Sequence, residues 1–187
     1  MEAWQGNWSG SGTATGQLGD DPAAMTGGTA TITVSSFNFQ AASAGEHLVE
    51  LTLAGSATGS AEGQQASVTV SGFKVLLYGE ERADGDLAIT GFRVTEGSGT
   101  ATIPGWGEVP FDVQESTEPL ARDFPEPLLL KNTGFDVDLN GSQDGIEGEG
   151  QATAVLSGNT LTLDASGAGS AAMGLVEDVV LHMTLRK

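Results

Sequence analysis

The strand alternation of this chain changes phase in mid-strand, beside small residues, in segment after segment. Ala30, Ile32 and Val34 share one parity, Ser35 and Ser36 intervene, and Phe37 and Phe39 take the other. Val68 and Val70 give way across Gly72 to Phe73, Val75 and Leu77, and Leu87 and Ile89 give way across Gly91 to Phe92 and Val94. Side chains on a strand alternate between faces, so a phase change inside one apolar run means a β-bulge or a strand passing from one sheet to another. Long strands that bend in this way build closed barrels and orthogonally packed sheets.

Composition points the same way. The 28 glycines, with abundant Thr, Ser and Val and almost no apolar spacing of the i, i+3, i+4 kind, argue against helices. The chain of 187 residues suits one domain, 1–187. The expected architecture is all-β: a single-domain antiparallel bent-strand β-barrel of about 10–12 strands, with a β-sandwich as the alternative. Turn dipeptides such as Asp84-Gly85 and Gly158-Asn159 mark hairpins between antiparallel neighbours. Only residues 115–127 break the rhythm, with Pro119, Pro125 and Pro127. They read as a Pro-rich crossover in which Thr117 caps one helical turn that lays Leu120 and Phe124 on the sheet.

The net charge of -18 comes from 25 Asp and Glu against only 7 Lys and Arg. A surface so poor in cations repels phosphate backbones and anionic lipids, which argues against nucleic acid and polybasic membrane partners. No apolar run is long enough for membrane insertion as a helix. No cysteine is available for a disulfide, a thiolate metal site or a thiol nucleophile. The expected location is extracellular, periplasmic or on the cell surface, any export signal having been removed; the oligomeric state is not legible.

Two patterns could carry chemistry. Asp136, Asp138, Asn140, Gly141, Asp144 and Glu147 match positions 1, 3, 5, 6, 9 and 12 of a calcium loop, where alternating carboxylates and a distant Glu can surround a hard cation. Against it, both flanks read as strands. The competing reading is a hairpin with Phe135, Val137 and Leu139 in the core and Asp136 and Asp138 in water. The second pattern is Gly6-Asn7-Trp8 on the first strand, with Arg186 near the end of the last. This resembles the lipocalin-like (calycin) barrels, and the run Trp8-Ser9-Gly10-Ser11-Gly12 resembles the start of their haem-binding nitrobindin branch. The resemblance implies a barrel closed at one end by Trp8, with Arg186 packed on the indole as a cation. It would also make His182 a haem ligand, but alternation puts Val179, Leu181, Met183 and Leu185 inside and His182 outside.

Catalytic motifs are missing: there is no Gly-x-Ser-x-Gly elbow and no HExxH, and the only imidazoles are His47 and His182. Trp4, Trp106 and Tyr78 could form a sugar platform if exposed together. Repeated Thr-x-Thr pairs suggest a flat ice-binding face, which would need a regular solenoid period, and none is found. The expected function is that of a non-catalytic binding protein holding a small apolar ligand inside a barrel. The alternative is a calcium-stabilised extracellular or surface interaction module.

Overall fold

A computed structural model describes residues 2–19, 26–42, 47–61, 63–114, 120–138, 141–143, 146–171 and 174–187. Among them there is no helix. Twelve strands run in chain order: β1 (Gly6–Gly19), β2 (Thr26–Ala41), β3 (Val49–Ala61), β4 (Gln64–Glu81), β5 (Leu87–Ile103), β6 (Gly107–Gln114), β7 (Leu120–Leu130), β8 (Gly134–Asp138), β9 (Gly141–Gln143), β10 (Ile146–Ser157), β11 (Thr160–Ala171) and β12 (Gly174–Arg186). They form one antiparallel sheet in the order β6-β5-β4-β3-β2-β1-β12-β11-β10-β8, with β9 on β10 and β7 on β5. The all-β expectation is met, by one hydrogen-bonded antiparallel sheet whose ends are not joined by a ladder.

The phase changes are bulges. The ladder slips between Val34 and Ser36, between Ser71 and Lys74, and between Ile89 and Gly91, the three places where alternation changed parity. Each slip absorbs the extra residue and keeps the apolar side chains on one face. At Gly72 the backbone takes φ +62°, a left-handed conformation that a side chain would strain. The slips between Trp8 and Gly10 and between Leu53 and Gly55 are the extra residues of β2 and β4 met from their other neighbours, so β2 and β4 are bulged at one level. The sheet is creased along that line, which helps it to curl.

Its two ends approach each other. β7 is bonded to the first half of β5 and also lies against β8, the last strand at the far end. Backbone bonds between Lys131 and Gly134 close the turn that joins β7 to β8, and no ladder continues between the two strands. Residues 120–127 thus differ from the expected crossover: Leu120 and Phe124 lie on a strand. The register explains how a strand tolerates these prolines. Leu128 faces Ile89 and Asp123 faces Gly91, so residues 124–127, including Pro125 and Pro127, stand outside the ladder, where no amide donor is needed. Thr117 and Pro119 lie outside the described residues.

The core occupies one end of the curled sheet. Trp4, Trp8, Phe39, Val49, Leu87, Ile89 and Leu130 are buried there with Leu156, Leu161, Met183 and Leu185. Trp4 packs on Phe39 and stacks on Phe135, with ring centroids 5.9 and 6.2 Å apart.

Candidate binding interior

The inner face changes character along the strands, and the register shows it row by row. Nearest the tryptophans, Val34, Gly10, Leu185, Leu161 and Leu156 stand side by side on β2, β1, β12, β11 and β10. The next row holds Ile32, Gly12, Met183, Leu163 and Ala154, and the third Ala30, Ala14, Leu181, Ala165 and Ala152. Beyond them come Gly28, Gly16, Val179, Gly167 and Gly150, Gly16 lying against Val179. On β2, β10 and β11 inward side chains therefore shrink from Val and Leu through Ala to Gly. Burial is mixed along these rows: Leu156, Leu161 and Leu185 are buried, Ala14, Ala30, Ala165 and Leu181 are partly exposed, and Ala152 and Gly28 are buried.

Girth matters here. An eight-stranded barrel is just wide enough for side chains to fill it. Here the hydrogen-bonded path from β7 through β5 to β8 has ten strands, and no ladder joins its two ends. At the small-residue end the inward Ala and Gly leave more room than the leucines do, and the tryptophan end is the packed floor.

The floor is fastened by hydrogen bonds. The Trp8 indole is fully buried, and its Nε1–H donates to the Trp4 carbonyl at 2.9 Å. The Trp4 Nε1–H donates to the Lys131 carbonyl at 2.7 Å, tying the segment before β1 to the turn where the sheet ends meet. The cation over Trp8 is Lys187, not Arg186: its Nζ lies 4.7 Å from the ring centroid and donates to the carbonyls of Ala3 and Gln5 at 2.9 and 3.1 Å. Arg186 pairs between Ser9 and Thr160 in the ladder and is exposed. Sequence alone misses Lys187 because it follows the last strand, where alternation no longer fixes the direction of a side chain.

The remaining candidates are scattered. Asp136 and Asp138 are exposed on the outer side of β8, and Asp136 accepts a hydrogen bond from Gln151 at 3.2 Å. Asp136 faces Thr153, while Glu147 lies six residues further along β10, or roughly 20 Å of extended strand. Leu139, Asn140 and Asp144 fall outside the described residues. Among the described residues no three His, Asp or Glu side chains gather as a metal cluster. His182 points outward, its Nδ1 2.6 Å from Asp164 Oδ1, so it faces away from the interior. Trp4 is buried and Trp106 is 81% exposed at the β5–β6 turn, which leaves the suggested sugar platform unassembled.

A second concavity, of about 720 Å³, lies beside the crease and includes His47, Thr95 and Asp112. Lys74, on its wall, is held by Glu50 at 3.2 Å and Glu96 at 3.9 Å, so its charge is already matched. No protein-family model, no curated protein and no solved structure matches this chain.

Proposed function

We propose that this chain is a non-catalytic binding protein whose curled sheet holds a small apolar ligand at its small-residue end. The observation that carries the reading is the inward taper on β2, β10 and β11, from Val and Leu through Ala to Gly. Walls of Ala, Gly, Val and Leu offer apolar contact without polar groups that would demand partners, the usual lining of a site for an apolar molecule. The outer face supports the same division of labour. It carries Thr, Ser and charged residues where a lipid-facing barrel carries an apolar band. The Gly6–Trp8 segment under a C-terminal cation is the arrangement that the calycin resemblance implies for the closed end of such a barrel, with Lys187 in the place expected of Arg186.

Native mass spectrometry of the purified chain tests the reading, together with titration of an uncharged fluorescent apolar probe. A co-purified organic mass at one per chain, or saturable probe binding, is expected. Ala14→Phe and Ala165→Phe each push a ring into the small-residue end and should abolish that binding while the β-sheet circular dichroism persists. A bare chain that binds no probe, or binding indifferent to both substitutions, would overturn it.

A further inference from the structure

The outer face of β1, β2 and β3 carries a second regularity, independent of the interior. Ser11 faces Thr33, which faces Ser56; Thr13 faces Thr31, which faces Thr58; Thr15 faces Thr29, which faces Ser60. Three successive outward positions on three adjacent strands are thus hydroxyl residues without exception, and all are exposed. None of the 25 acidic and 7 basic residues enters this grid. In a chain of net charge -18, an uncharged patch of this extent needs a reason.

We propose that this grid is an ice-binding surface. The lattice comes from antiparallel neighbours in register, so the solenoid period that the sequence lacks is not required. Adjacent strands lie about 4.8 Å apart, and alternate residues along a strand repeat at about 6.7 Å. In a tetrahedral water network with O···O bonds of about 2.75 Å, second-neighbour oxygens lie about 4.5 Å apart, and a hexagonal stack repeats after eight-thirds of a bond, about 7.3 Å. The two lattices differ by about 0.3 Å per strand and about 0.6 Å per row, so across three strands and three rows the edge positions are displaced by about 0.6 Å and about 1.2 Å. Thr also suits a rigid grid, since its β-branch restricts χ1 and presents a methyl beside each hydroxyl.

Other occupants fit less well. Phosphate-bearing partners need cations, and the grid has none. Protein interfaces concentrate aromatic and Arg anchors, and sugar sites stack aromatics, neither of which is present among the nine residues. Of the nine, Thr29 and Ser60 hydrogen-bond each other at 3.4 Å, which leaves the array facing outward for water-like partners.

Thermal hysteresis and inhibition of ice recrystallisation, measured on the purified chain, are the test. Activity in both assays is expected, with loss on Thr31→Lys, at the centre of the grid, and on Thr13→Lys. Ser166→Lys, exposed on the same face but off the grid, should keep it. Thermal melts by circular dichroism establish that each variant is folded. No activity in the folded wild type overturns the proposal, as does equal loss in the Ser166 variant. Retention on insoluble cellulose or chitin that Thr31→Lys abolishes, without ice activity, also overturns it and assigns the grid to a polysaccharide.

Discussion

Replacing Lys187 by Met separates the two basic residues at the end of the chain. The ammonium sits over the buried Trp8 ring at 4.7 Å and bonds two carbonyls, those of Ala3 and Gln5. Lys187 is exposed, so each term is discounted for water that can replace it. A cation over an indole at such a site contributes about 0.5–1 kcal/mol. Each exposed hydrogen bond adds about 0.5 kcal/mol, toward the low end for a bond that water can substitute. Methionine keeps an apolar stem on the ring, so the loss is that of the head group, about 1.5–2 kcal/mol in all. For a chain of this length that corresponds to a fall in Tm of roughly 3–8 °C. Arg186→Met removes a residue whose exposed side chain lies between Ser9 and Thr160, and should stay within about 0.5 kcal/mol. Urea unfolding followed by tryptophan fluorescence reads both, with the slope m unchanged if only the native state is affected. An Arg186→Met cost equal to or above that of Lys187→Met would refute the assignment of the cation, and a Lys187→Met cost near zero would refute its contribution to closing that end.

Leu161→Ala empties a buried position among Leu156, Met183 and Leu185 and should cost about 2–5 kcal/mol, whereas Val155→Ala, at a residue 59% exposed, should cost under about 0.5 kcal/mol; equal costs by urea titration would contradict the stated faces of β10 and β11. Gly72→Ala meets no neighbouring atom but is held at φ +62°, so a loss of about 1–2 kcal/mol is expected from backbone strain alone, and a stabilised variant would show that the bulge is misassigned. Because Glu147 lies about 20 Å along β10 from the partner of Asp136, calcium added after chelation should leave the Tm of the wild type and of an Asp136→Ala/Asp138→Ala double variant unchanged. A rise in the wild type alone would mean that these oxygens do close around an ion.

How much of this was legible in the sequence depended on the range of the signal. The bulges were, because a phase change is local: Ser35-Ser36, Gly72 and Gly91 each mark the slip within a few residues. Strand β7 was not, because Pro125 and Pro127 read as chain breakers unless it is known that β5 skips the residues holding them. Asp136 and Asp138 are outward acids spaced by two on a strand, a spacing that also suits alternate ligands in a loop, and Asn140 and Asp144 lie outside the described residues. The run from Gly10 to Thr15 showed small and hydroxyl residues but not their arrangement. Only the register sets Ala14 beside Ala30 and Leu181, and Thr13 beside Thr31, turning two halves of one motif into an inner taper and an outer grid.

The taper also grades how tightly the ladder is held. At the tryptophan end, every strand that opens must expose large apolar side chains, so backbone amides there should exchange with solvent only on global unfolding. At the glycine end, the same ladder bonds are backed by Ala and Gly, which lose little when water enters. Amide exchange should therefore quicken along each of β1, β2, β10 and β11 away from the tryptophans. The mouth of the molecule can open while its base stays closed, and a bound molecule would register as slowed exchange at Gly16, Gly150 and Gly167.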